Sequence, residues 1–252
     1  MLRWDGQPLA AVLLDLDDTI LDNHAGLAEV WDRVSAELAS RLGDVSPQAV
    51  RAELEAASEW YWADDERHRR GRLDMAGSRR TVVARVLETL GRPDPRLAEE
   101  VTALYCELRD AAYAPFPGAL EALARLRARA PALGLVTNGA AEAQRAKIER
   151  FRLAAWFDVI AIEGEVGAGK PDPRHFGHAL AALDADPAAT LMAGDNYQCD
   201  VVGALALGMH AVWIDRRRRV APPIAGAAPA AAPPRPHRTL ASFVELVEAL
   251  GD

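Results

Sequence analysis

Residues 9–19 read Leu9-Ala10-Ala11-Val12-Leu13-Leu14-Asp15-Leu16-Asp17-Asp18-Thr19, and this stretch decides the fold. A short, nearly all-apolar run, bounded by Pro8 before it and by aspartates after it, reads as a strand buried on both faces. Residues 133–137, 159–162, 190–193 and 210–214 repeat that character. Helical stripes separate these runs: Leu120, Leu123 and Leu126 before the second, Ala143, Lys147 and Phe151 after it, and Phe176, Leu180 and Leu183 before the fourth. The alternation predicts an α/β fold, a doubly wound, Rossmann-like parallel sheet whose sites form at the carboxyl ends of the strands.

Residues 24–113 break the alternation. Leu27, Val30, Trp31, Val34, Leu38 and Leu42 recur at helical spacing, and Ser46-Pro47 reads as an N-cap followed by a first-turn proline. A stripe through Val82, Val83, Val86, Leu87 and Leu90 closes at Gly91, and another runs through Leu97, Val101, Leu104 and Leu108. The expected organisation is a sheet domain of residues 1–23 and 114–252 interrupted by an all-helical insert, residues 24–113. Pro115-Phe116-Pro117-Gly118 returns the chain to the sheet, and the proline- and alanine-rich residues 216–238 read as a solvated loop.

With 50% hydrophobic and 26% charged residues, the 252-residue chain has a globular balance that excludes a disordered or collagen-like protein. Its formal charge of −8 argues against binding nucleic acid as a polymer or an anionic membrane, while leaving room for a local phosphate pocket. Cys106 and Cys199 provide no disulfide framework, no run is long enough for a membrane helix, and the opening residues lack an apolar secretion signal; a cytoplasmic protein is expected. Lys147 and Lys170 are the only lysines among 29 basic residues. A lysine in such a chain is not a casual choice.

The candidate chemistry lies where the apolar runs end. Asp15 and Asp17 stand two apart, the spacing at which strand residues project to one side, and so close a pair repels unless a cation or a proton is shared. A strand-to-helix turn with Asp18 or Thr19 as cap is the plainer reading of the same residues. Thr137-Asn138-Gly139 ends the second run with a hydroxyl, an amide and free backbone N–H groups that suit an anion, although it is also good turn chemistry. Lys170-Pro171-Asp172-Pro173 follows a glycine-rich stretch and offers a point charge for a phosphoryl oxygen. Gly194-Asp195-Asn196, with Asp200 beyond it, adds a carboxylate that, together with Asp15, suits a hard divalent cation.

Asp15-Leu16-Asp17-Asp18-Thr19, Thr137-Asn138, Lys170-Pro171 and Gly194-Asp195-Asn196 with Asp200 together resemble the four motifs of the haloacid dehalogenase superfamily, in type and in order. The helical insert resembles the cap of the subgroup that includes phosphoglycolate, acylneuraminate and nucleotide phosphatases. The resemblance implies a hydrolase that acts on a small phosphorylated metabolite, with Asp15 as nucleophile forming a phosphoaspartate and Asp17 as acid and then base. It implies Mg²⁺ held by Asp15, Asp195 and the Asp17 carbonyl. It also implies that Thr137 and the Asn138 N–H bind phosphoryl oxygens, that Lys170 neutralises them and orients Asp15, and that Thr19 and Asp200 support the site. Asn196 stands where some relatives carry another carboxylate, so its role is open. A monomer or a homodimer is expected.

Other readings remain at this stage. A dehalogenase of the same fold makes no use of a second aspartate two residues after the nucleophile. A phosphomutase shares every motif, and a silent phospholigand-binding protein would keep the pocket without the chemistry. His175 and His178 lack a third metal ligand and read as packing or surface residues, Cys199 reads as small and buried, and His24 as a residue near the helix start. In the insert, Arg69, Arg70, Arg72, Arg79 and Arg80 around Gly71 and Gly77 suggest a loop that meets the substrate, with Arg72 and Arg79 as contacts. The Trp60-Tyr61-Trp62 cluster reads equally as part of that contact or as core.

Overall fold

The computed structural model describes residues 2–216 and 234–250. It divides into two compact units, Met1–Asn23 with Ala114–Asp252, and His24–Tyr113.

In the first unit six parallel strands form one sheet: β1 (Ala11–Leu14), β2 (Leu133–Thr137), β3 (Val159–Ile162), β4 (Thr190–Gly194), β5 (His210–Ile214) and β6 (Arg238–Leu240). Their spatial order is β6-β5-β4-β1-β2-β3, the order of a doubly wound sheet that reverses beside its first strand. All residues of β1, β2 and β4 are buried, as continuous apolar runs covered on both faces must be. One face packs Val12, Leu14, Leu135 and Leu191 against Leu123 and Leu246; the other packs Leu13, Val136 and Met192 against Phe176 and Val201. The edge strand β6 was not expected. It begins at Arg238, the last residue of the stretch read as loop; most of that stretch, residues 217–233, lies outside the described residues. Beyond the sheet, Leu21–Asp22 pairs antiparallel with Ala114–Pro115.

The helices in chain order are α1 (Leu27–Leu42), α2 (Pro47–Trp62), α3 (Asp65–Gly71), α4 (Met75–Thr89) and α5 (Pro95–Ala112) in the second unit. In the first they are α6 (Ala119–Arg127), α7 (Ala141–Arg150), α8 (Glu163–Val166), α9 (Pro173–Ala182), α10 (Gly203–Ala206) and α11 (Phe243–Ala249). The second unit has its own core of Val30, Val34, Leu38, Leu54, Val83, Val86 and Leu87. Side chains start its helices: Ser46, Asp64, Asp74 and Asp94 each accept a backbone N–H in the first turn. These caps correct the reading of residues 69–80 as a loop. Asp64 starts α3, which takes in Arg69 and Arg70, and Asp74 starts α4, which takes in Arg79 and Arg80. No helix among the described residues is long and apolar enough to cross a membrane.

Candidate active site

The chain leaves β1 at Asp15, whose N–H still donates to the Ala193 carbonyl of the neighbouring strand at 3.0 Å. The carboxylate is therefore fixed at the carboxyl end of the central strand and is only 7% exposed. Lys170 Nζ stands 2.6 Å from Asp15 Oδ1 and 2.6 Å from Asp200 Oδ1, with the lysine 2% and Asp200 1% exposed. Thr19 Oγ1 donates to Asp15 Oδ2 over 3.3 Å. A buried ammonium between two buried carboxylates has the geometry that a charge needs to survive away from water.

Burial pushes the Asp15 carboxyl up to about 7, against the pull of Lys170 and with the help of the Asp200 and Asp17 charges. For Lys170, burial acts downward, but Asp15 and Asp200 outweigh it and hold the ammonium above the ordinary lysine range. Lys170 is thus a permanent cation.

Lys170 follows β3, two places from β1 in the sheet, and Asn138 at the end of β2 bridges that gap. Its side chain donates from Nδ2 to the Lys170 carbonyl at 2.8 Å and accepts the Lys170 N–H on Oδ1 at 2.7 Å. Gly194 ends β4 as glycine for want of space: a Cβ there would lie 2.2 Å from Asp200 Oδ2. Asp200 Oδ2 accepts the Asn196 N–H at 2.8 Å, and Asn196 Oδ1 accepts the Cys199 N–H at 2.9 Å. Asn196 accordingly caps the turn that carries Asp200, which gives that residue a structural account. Cys199 is half-buried, not buried as the sequence suggests, with Sγ 3.9 Å from Asn138 Nδ2.

Asp15, Asp195 and Asp200 each place a carboxylate oxygen within 4.8 Å of the others. The donors are all oxygen, and Lys170 is paired with only Asp15 and Asp200 of the three carboxylates, so the set fits a hard divalent cation. Lys170 engages Asp15 and Asp200 alike, and Asp200, 1% exposed, is the most deeply buried of the three. The Asp195 carbonyl accepts from Trp213 Nε1 at 2.9 Å, which anchors that strand end.

Asp17 sits beside this cluster with its side chain 26% exposed. Lys147 Nζ is 2.8 Å from both of its oxygens, and Gln144 Nε2 is 2.9 Å from Oδ2. The same amide nitrogen reaches Thr137 Oγ1 at 2.9 Å and the Asn138 carbonyl at 2.6 Å. The sequence reading missed Gln144 and treated Lys147 as part of a helical stripe, although the scarcity of lysine marked it out.

The structure thus brings Asp15, Asp17, Thr19, Thr137, Asn138, Lys170, Asp195, Asn196 and Asp200 to adjoining strand ends of the first unit. In the second unit, Arg69 and Arg70 pair with Glu66, and Arg80 pairs with Glu99, all on exposed surface. Arg72 directly follows α3 and is half-buried. Arg79 is 7% exposed, 5.4 Å from the Tyr105 ring and 3.8 Å from Asp110 Oδ1. Tyr61 is buried and stacks edge-on with Trp60 and Trp62, so this cluster belongs to the unit's own core. His175 is fully buried, and burial, aided by the Lys170 charge, pushes it down to about 4. It is a neutral packing residue.

Residues 9–208 match the model of a hydrolase family described as haloacid dehalogenase-like hydrolase. The chain is 37% identical over 228 residues to a phosphoserine phosphatase from Thermus thermophilus, covering 82% of this chain and 89% of that protein. It is 29% identical over 212 residues to a glyceraldehyde 3-phosphate phosphatase from Methanopyrus kandleri, covering 82% and 84%. Among solved structures, the magnesium-bound HAD-hydrolase YfnB from Bacillus subtilis superposes with a TM-score of 0.71 over 98% of this chain and 100% of that one, at 18% identity, a likeness of fold.

Proposed function

The chain belongs to the haloacid dehalogenase-like hydrolases, and from that premise we propose that it is a Mg²⁺-dependent phosphatase of a small phosphorylated metabolite, working through a phosphoaspartate on Asp15. The observation that carries the reading is the pairing of two carboxylates with two cations at one strand end: Asp15 with buried Lys170, and Asp17 with Lys147. A dehalogenase has no need of the second pair.

Lys170 holds Asp15 in place and keeps a positive charge beside the oxygen that forms the new bond to phosphorus. In the form of Asp17 that carries a proton, as opposed to the anion paired with Lys147, the side chain delivers that proton to the departing alkoxide as the bond to phosphorus forms and the bond from phosphorus to the leaving oxygen breaks. Asp17, now an anion, takes a proton from the water that opens the phosphoaspartate, which frees phosphate and restores Asp15. Thr137 Oγ1 and the Asn138 N–H bind phosphoryl oxygens. Asp15, Asp195 and the Asp17 carbonyl would hold Mg²⁺, which when bound would supply charge compensation for the phosphoryl group. Thr19 and Asp200 keep Asp15 and Lys170 in register.

All these groups lie in the first unit, so recognition of the leaving group is assigned to the helical unit, with Arg72 as the contact; Arg79, expected as a second contact, is buried against Tyr105 within that unit. A cytoplasmic setting, where both free thiols stay reduced, and a monomer or homodimer complete the reading. A panel of phosphorylated metabolites, assayed with Mg²⁺ and with chelator, tests it. Turnover of at least one ester is expected with Mg²⁺ only, and Asp15→Asn is expected to abolish it while keeping the wild-type circular dichroism. Full activity in Asp15→Asn would refute the mechanism.

A further inference from the structure

Both lysines of the chain, out of 29 basic residues, end on aspartates of the first motif. Every other basic position is arginine. A compact ammonium instead of a planar fork is what a carboxylate in a small space requires. Lys147 meets that description: its side chain is 12% exposed and its Nζ is equidistant, at 2.8 Å, from the two Asp17 oxygens.

Gln144 lies three residues earlier on α7, on the same helical face. It is 3% exposed, and its Oε1 is buried with no hydrogen-bond partner among the described residues. A buried acceptor left unmatched is destabilising, so the side chain is kept for what its other end does. That end, Nε2, meets Asp17 Oδ2, Thr137 Oγ1 and the Asn138 carbonyl. Accepting from Gln144 has a consequence for Thr137. Apart from a long 3.4 Å contact to the Asn138 carbonyl, its own hydroxyl hydrogen is available to donate elsewhere.

We propose that Gln144 and Lys147 are positioning residues for phosphoryl transfer: from one face of α7 they hold the Asp17 carboxylate and the Thr137 hydroxyl in a fixed relation, so that the acid–base group and the phosphate-binding group are aimed together. The proposal rests on the phosphatase reading above and adds two residues that act through Asp17 and Thr137. Neither touches the reacting atoms. Because proton delivery depends on the aim of Asp17, losing Lys147 harms most the esters whose leaving group needs that proton.

The test compares wild type, Lys147→Met, Lys147→Arg and Gln144→Met, each with its best alkyl phosphate and with p-nitrophenyl phosphate, whose leaving group departs without help. For Lys147→Met, kcat on the alkyl ester should fall about 100-fold, the scale of a misplaced catalytic group, with KM within about threefold, whereas Gln144→Met, which also releases Thr137, should lower kcat/KM on both esters by at least about tenfold. On p-nitrophenyl phosphate the fall for Lys147→Met should stay below about tenfold, and Lys147→Arg, whose planar fork does not suit this space, should recover less than about tenfold of the alkyl loss. For Lys147→Met, an unchanged kcat, an equal fall on both esters or a loss confined to KM overturns the proposal, as does an unchanged kcat/KM for Gln144→Met. Thermal melts accompany each variant, and Lys147→Gln replaces Lys147→Met should the latter not fold. If wild type turns over no phosphate ester, both readings fall. If Asp15→Asn is dead while Lys147→Met matches wild type, only this one does.

Discussion

Replacing Lys170 with methionine removes the ammonium that compensates Asp15 and Asp200 and leaves both carboxylates in place, 7% and 1% exposed. Breaking a buried ion pair from one side costs about 3–5 kcal/mol, because the partner's charge stays behind. At about 2–4 °C per kcal/mol for a chain of this size, Lys170→Met should melt roughly 6–20 °C below wild type. A surface lysine, by contrast, would cost almost nothing.

The loss should depend on pH, and its sign follows from Asp15. Its folded-state pKa of about 7 lies above its ordinary 3.8, so the folded protein binds more protons than the unfolded chain between those values. The associated destabilisation is absent below the lower value and complete above the higher one. Without Lys170 the largest downward pull on Asp15 is gone, so the penalty grows and the upper edge of its window rises. Urea unfolding of both proteins at pH 5 and pH 8, in chelator, reads this directly: the gap between wild type and Lys170→Met should be wider at pH 8. A gap that is equal at the two pH values, or below about 1 kcal/mol, would mean that Lys170 is not the counter-charge of this cluster.

Two further outcomes follow from the same geometry. Saturating Mg²⁺ should raise the wild-type unfolding free energy by about 2.7 kcal/mol at a hundredfold excess over Kd, and Asp195→Ala should remove most of that gain; an undiminished gain in the variant would place the cation elsewhere. His175, held neutral with its pKa near 4 in place of 6.5, favours folding fully above pH 6.5, and that contribution fades as the pH falls towards 4. The loss between pH 7.5 and pH 5 should be about 2 kcal/mol, and His175→Gln, compared with wild type by urea unfolding so that the opposite trend of Asp15 cancels, should lack it.

The parallel sheet was legible because continuous apolar runs such as residues 11–14 and 133–137 leave no solvent face to satisfy, and the motifs could be placed because each stands where such a run ends. Strand β6 was not legible. With only Arg238, Thr239 and Leu240, it owes its place to pairing with Trp213 and its neighbours at the sheet edge, not to any pattern of its own. The arginines of residues 69–80 misled for a related reason. Charge density and two glycines suggest a loop, but two aspartates ten residues apart, Asp64 and Asp74, cap successive helices through it, and Gly77 is helical because its N–H binds Asp74 Oδ1 at 2.8 Å.

The strand order explains what no single motif discloses. With β1 between β4 and β2, the ends that carry Asp15, Asp195 and Thr137 are immediate neighbours, and they would meet in any chain that folds this way. Lys170 is different: it follows β3, with β2 intervening, so its ammonium reaches Asp15 only if the loop is held across that strand end. Asn138 does this with both ends of its amide, and the cost is that its side chain is committed to Lys170 and unavailable to a ligand. The phosphate-binding role open to Asn138 is therefore that of its backbone N–H alone. Gln144 makes the corresponding link on the other side, from the same strand end to Asp17. The end of β2 is thus tied to both aspartates of the first motif, through Lys170 to Asp15 and through Gln144 to Asp17, and a displacement of Thr137-Asn138 would move the nucleophile's counter-charge and the acid–base group together.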